Sequence, residues 1–174
     1  FQVAEYFYTL CADDGNEYAS LQVARFNATG FGGIKVNCNK AEKYLSKVLA
    51  YYDHDGIANR YAGYAFSNGV CVPKNYDLAF KYFVKSARHG DKYSEQAVGW
   101  SYQYGCGTEI DIQKAKEYYE KAANKGEVEA IVNLGHLYAS EINIFDPKLS
   151  MQYLTEALYI EPLHGYANYF MALN

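Results

Sequence analysis

The chain has 174 residues, of which 50% are hydrophobic and 21% charged, which fits one domain with a sizeable core, and its three prolines are too few for a disordered tail. A net charge of −4 argues against nucleic acid and an anionic membrane surface as partners, since both call for a basic face. No apolar run approaches the roughly 18 residues that a membrane-spanning helix needs, and no leader is visible; residue 1 is Phe, so the natural start is expected to be missing or processed away, and the absence of a leader carries little weight.

In chain order, residues 1–16 read as one helix, carrying Ala4 and ending at Gly15. Residues 17–56 read as a helix pair: the first helix is near Ala19 with Val23-Ala24 in its core, and a turn at Gly30 leads to Asn37 and a second helix near Ala41 that ends at Gly56. Residues 57–91 repeat the plan through Ala58, Gly63, Phe66, Gly69, Asn75, Ala79 and Gly90. Residues 92–127 do so again through Ser94, Gly99, Tyr102, Gly105, Asp111, Ala115 and Gly126. In 128–162 the same slots hold Ala130, Gly135, Tyr138, Asp146 and Ser150, and 163–174 begin one further first helix near Gly165. Ser94 and Ala130 stand 36 residues apart, and Ala4–Gly15, Ala79–Gly90 and Ala115–Gly126 each span the same interval of 11. Self-similarity at such a period is the signature of a repeat array, here a single repeat domain over 1–174.

The physics of one unit is legible. Apolar and small positions recur at i, i+4, i+5 and i+8, the stripe of a helix that buries one face, and Ala, Ser or Gly there admits a neighbouring helix closely. Asn37, Asn75, Asp111 and Asp146 each precede the small residue of the second helix by four, where a side-chain oxygen caps orphan backbone N–H groups. Pro147 suits the first helical position. Two irregularities stand out. Asn27 replaces the aromatic of the first pair, and the 41–56 segment carries four extra residues, placed at Ala50–Asp53.

The pattern Ala-x3-apolar-Gly-x2-Tyr-x2-Gly, then Asp-x3-Ala-x2-Tyr, then Ala-Ala-x2-Gly resembles the Sel-1-like repeat, a longer relative of the tetratricopeptide repeat. Residues Tyr102 to Gly126 follow it throughout. The resemblance implies an all-α fold, a right-handed α/α solenoid (superhelix) of helix pairs, and a class of role: adaptors with varied partners, among them endoplasmic-reticulum degradation complexes, bacterial host-interaction proteins and cell-wall synthesis regulators.

Candidate chemistry is sparse. Gly30-Phe31-Gly32-Gly33-Ile34-Lys35 lacks the Gly-Lys-Ser/Thr ending of a phosphate loop and reads as a turn. Asp53-His54-Asp55-Gly56 lacks the further oxygen ligands of a calcium loop and reads as a solvated turn. The four histidines, His54, His89, His136 and His164, occupy different slots, and no metal or cofactor is expected. Asn27-Ala28-Thr29 is a sequon of the kind chance supplies. Cys11, Cys38, Cys71 and Cys106 form no CxxC. Cys71 and Cys106 fall in successive turns, where equivalent atoms of stacked repeats exceed the roughly 7 Å disulfide limit, so free thiols are expected, with Cys11 a small core residue. Cysteine-rich bacterial relatives linked to β-lactams pair cysteines seven residues apart, which this chain does not.

The expected function is a non-enzymatic scaffold that binds a protein or peptide, alone or within a larger complex, with no nucleic acid and no membrane insertion. In such solenoids first helices line the concave side. The groove slots are Arg25, Arg60, Tyr64, Asn68, Gln96, Trp100, Gln103, Tyr104 and His136, beside core slots Val98, Gly99, Tyr102, Leu134, Gly135 and Tyr138. Exposed Trp, Tyr and Arg are favoured hot spots, so Trp100, Tyr64 and Arg60 are the expected anchors, unless Trp100 packs between first helices. The other readings are a β-lactam-binding or hydrolysing relative and an immunity protein that neutralises a toxin. The apolar last segment, Tyr166 to Leu173, leads us to expect a chain that continues or docks at its ends.

Overall fold

The computed structural model describes residues 2–51 and 56–173, with side chains except that of residue 51. All ordered elements are helical among the described residues, and they form two compact units, Phe1–Gly90 and Asp91–Asn174. The fold class is an all-α solenoid of helix pairs.

The first unit holds α1 (Gln2–Asp13), α2 (Glu17–Thr29), α3 (Cys38–Tyr51), α4 (Gly56–Asn68) and α5 (Tyr76–Arg88). The second holds α6 (Lys92–Tyr104), α7 (Ile112–Ala123), α8 (Val128–Ser140), α9 (Pro147–Ile160) and α10 (Gly165–Leu173). The tightest pairs are α2 with α3, α4 with α5, α6 with α7, and α8 with α9. In three of these pairs the glycine of the first helix sets how closely the helices approach, whereas α2 holds Ala24 in that slot. A Cβ on Gly63 would lie 2.5 Å from the Phe83 ring, on Gly99 2.7 Å from Tyr119, and on Gly135 2.8 Å from Leu154. Three residues beyond each glycine, aromatic rings stack across the pair: Phe66 on Tyr82, Tyr102 on Tyr118, Tyr138 on Tyr153, with centroids 5.7–5.9 Å apart.

The turn between the helices of a pair is fixed at both ends. Gly30, Gly69 and Gly105 adopt φ of 69–70°, the left-handed conformation in which a side chain would be strained. The capping residue then docks back: the N–H groups of Asn37, Asn75, Asp111 and Asp146 donate to the carbonyls of Asn27, Phe66, Tyr102 and Tyr138 at 2.8–2.9 Å. Their side chains accept from the backbone N–H groups of Lys40, Leu78, Lys114 and Leu149 at 2.9–3.1 Å. Pro147 occupies the start of α9. Asn16 and Asp91 cap α2 and α6 in the same way, although the sequence pattern gave no reason to single them out.

Asn27 breaks the aromatic slot and replaces ring stacking with a polar node. Its amide donates to the Val23 carbonyl (2.9 Å) and to Glu5 (3.1 Å), and Glu5 also pairs with Lys40. This node joins α1, α2 and α3. The Glu5 carboxyl is held below its ordinary value chiefly by the Lys40 hydrogen bond, with Asn27 adding to it and burial opposing it.

Three sequence expectations are corrected. Cys38 and Cys71 form a disulfide, with Cα atoms 4.8 Å apart, so not all thiols are free. The distance rule for stacked repeats applies to equivalent slots, and these are not equivalent: Cys38 opens α3, whereas Cys71 lies in the turn after α4. Cys11 is exposed; its neighbour Ala12 is the buried residue of α1, one position off the expected stripe. Gly56 does not terminate a second helix; it begins α4. The proposed solvated turn at Asp53, His54 and Asp55 lies outside the described residues.

Candidate functional site

The first helices present two kinds of surface. The stripe of Ala58, Ala62 and Gly63 in α4 is buried, while Tyr64 and Asn68 on the same helix are exposed. Arg25 of α2 and these two residues border one apolar cleft of about 230 Å³ in the first unit. Its buried lining comes from Leu21, Ala24 and Ala41, with Leu45 beside them. Tyr61, Ala28, Thr29 and Ala65 complete the helix-borne walls, and Val70, Cys71 and Val72 form the lip. The disulfide from Cys71 to Cys38 ties that lip to the start of α3. Arg60 does not line the cleft; its guanidinium lies 5.4 Å from the centroid of Tyr61.

Arg25 is the cationic group of the cleft. Its guanidinium carbon sits 5.2 Å from the Phe26 centroid and 5.4 Å from that of Phe31, two rings stacked on each other. These aromatic faces attract the cation and fix its position. Arg25 Nε is buried and has no hydrogen-bond partner among the described residues. Glu42 is exposed at the border of the same cleft.

In the second unit the slots divide differently. Trp100 and Tyr104 are 37% and 50% exposed, and their rings meet along α6 at 5.3 Å. Burial raises the Tyr104 hydroxyl pKa, with a smaller push from Glu141. Gln96 is half-buried. Gln103 departs from the groove expectation: it is only 7% exposed, and its side-chain oxygen accepts a 2.8 Å hydrogen bond from the fully buried Tyr119 hydroxyl. Its slot faces α7, because Tyr119 brings a hydroxyl that needs an acceptor there. His136 is half-buried and stacks on Phe170 at 4.5 Å; burial lowers its pKa, which favours the neutral ring.

The core slots Val98, Gly99, Leu134, Gly135 and Tyr138 are buried, and Tyr102 is half-buried in its stack on Tyr118. Among the described residues no group of three or more His, Cys, Asp or Glu is placed to hold a metal ion. The Gly30–Lys35 stretch forms a 3₁₀ turn at Phe31–Gly33 and leads into the Asn37 cap, so it presents no helix start for a phosphate. Asn27 of the sequon is 3% exposed with its amide nitrogen engaged. The small residues Ala28 and Ala65 that open the cleft were not singled out from sequence. The signal was there: Ala65 stands where the equivalent positions of two other first helices hold Phe26 and Leu137.

Comparison with known proteins agrees with this geometry. The model of the Sel1 repeat matches residues 18–47, 57–91 and 93–127. The chain is 30% identical over 92 residues to the ERAD-associated E3 ubiquitin-protein ligase component HRD3B of Arabidopsis thaliana, covering 52% of this chain and 15% of that protein. It is 30% identical over 125 residues to Protein sel-1 homolog 2 of Homo sapiens, covering 60% of this chain and 18% of that protein. The chain thus spans less than a fifth of either relative. The crystal structure of a Sel1 repeat protein from Oxalobacter formigenes superposes with a TM-score of 0.80 at 27% identity, covering 91% of this chain and 62% of that one. The uropathogenic Escherichia coli antigen c5321 shares the fold at the same TM-score and 19% identity, over 90% of this chain and 33% of its own. With the family model matching more than half the residues and the helix pairs built on the glycine, aromatic and cap slots of the motif, this chain belongs to the Sel1 repeat family.

Proposed function

We propose that the chain is a non-enzymatic scaffold that binds a protein or peptide on the exposed faces of its first helices. The observation that carries this reading is the first-unit cleft, where Arg25, Tyr64 and Asn68 border an apolar hollow. In the second unit, exposed Trp100 and Tyr104 offer the residue types most often found as binding anchors. The named role of the Arabidopsis relative as a ligase component supports work within a larger assembly.

The test is purification of the chain from its native source with residue-specific crosslinking and mass spectrometry. A stoichiometric partner crosslinked to α2, α4 or α6, and weakened at least tenfold by Trp100→Ala or Tyr64→Ala, is the expected outcome. Crosslinks confined to the second helices α3, α5 and α7, or full affinity in both variants, would overturn the surface assignment. Turnover of a β-lactam panel by the purified chain would overturn the non-enzymatic part.

A further inference from the structure

We propose that the first-unit cleft takes one bulky apolar side chain of an extended peptide, and that Arg25 reads a carboxylate beside that side chain. This rests on the scaffold reading above and names the chemistry of its ligand.

Three observations select this occupant. The first is size. About 230 Å³ lies below the roughly 300–1,000 Å³ usual for small-molecule sites, yet it accommodates a large aliphatic or aromatic side chain. The hollow exists because Ala28 and Ala65 leave it open, while buried Leu21, Ala24 and Ala41 supply an apolar surface for the entering group.

The second is charge. Arg25 Nε, buried and without an acceptor among the described residues, carries a desolvation penalty that a ligand acceptor relieves. Carboxylates match the guanidinium fork, and the Phe26 and Phe31 rings already hold Arg25 in place, so little side-chain freedom is lost on binding. Glu42 at the border disfavours a run of acidic residues, so one carboxylate next to an apolar residue fits better than a polyanion.

The third is form. Exposed Asn68 stands at the border with both a donor and an acceptor, the two groups that an extended peptide backbone offers in return. The disulfide-anchored Val70–Val72 lip holds one side of the opening in place before any ligand arrives.

The experiment is selection of random dodecapeptides displayed on phage against the full chain with its disulfide intact, followed by affinity measurement on synthetic peptides. The expected consensus is Leu, Phe, Met or Trp within two positions of a single Asp or Glu. Changing that acidic residue to its amide should weaken binding about 10-fold, the scale of a hydrogen bond to a charged group. In the Arg25→Gln protein the acidic and amide peptides should bind equally. Ala65→Trp, which fills the hollow, should weaken both at least tenfold, with circular dichroism reporting whether that variant is folded; Arg25→Gln is an independent readout if it is not. Enriched peptides that ignore both substitutions would overturn this inference and leave the scaffold reading standing. No enriched peptide at all would count against peptide binding in both. Palmitate that competes with the best peptide and binds as tightly, in an Arg25-dependent manner, would overturn the peptide assignment in favour of a lipid-like acid.

Discussion

Gly99 shows how a single missing side chain sets a helix pair. In an exposed helix, alanine is favoured over glycine by roughly 1 kcal/mol. Here the added methyl would meet the Tyr119 ring at 2.7 Å, and that ring is fully buried and tethered through its hydroxyl to Gln103. Overpacking of this kind costs about 1–3 kcal/mol, so it outweighs the propensity gain. Gly99→Ala is therefore expected to lower the urea midpoint with little change in slope. Glu5 sets a second residue-scale expectation. Its folded pKa lies below its ordinary value of 4.5, so the carboxylate's stabilising contribution is present above that value and is lost as pH falls through the folded one. Unfolding followed from neutral pH to below 4.5 should show an acid loss that Lys40→Met reduces. A variant whose acid profile is unchanged would show that the node contributes nothing.

At the scale of elements, the cap slots were legible because capping is local. Asn75 and Leu78 are three residues apart, and no distant contact is needed to bring them together. The same holds for the glycine slots, whose period exposes them. What could not be read depends on partners from elsewhere in the chain. Asn27 looked like a defect in the aromatic slot, yet Glu5 and Lys40 arrive from two other helices to complete it. Gln103 seemed free to face a groove because its slot on α6 says nothing of the Tyr119 hydroxyl on α7. The Cys38–Cys71 bridge joins positions that do not correspond in the repeat, so the period hid it. A cross-link over 33 residues contributes about 3–4 kcal/mol in the chain-entropy account. Cys38→Ser with Cys71→Ser should lower the thermal midpoint by several degrees, and a reductant should do the same to the native chain but not to the double variant.

For the molecule as a whole, repetition made the fold class readable long before any site. Helices pack within a pair and against the next pair, as α7 does against α8, and the same slots recur in every pair, so an irregular slot in one leaves the pattern legible in the others. Binding surfaces have no such redundancy. The nine groove slots follow from periodicity alone, and they divide among exposed, half-buried and buried positions because each pair fills its slots with different side chains. The cleft itself comes from what is absent at Ala28 and Ala65, and an alanine in a sequence carries no chemistry that marks it as part of a site. Family membership gives the fold, while the ligand proposed above rests on Arg25 and a few small residues in one unit.

The Cys38–Cys71 bridge also changes what a cut would do to this protein. A protease that nicks the backbone anywhere between those two cysteines leaves both fragments covalently joined. The nicked chain would migrate as one species under non-reducing electrophoresis and resolve into two bands only after thiol treatment.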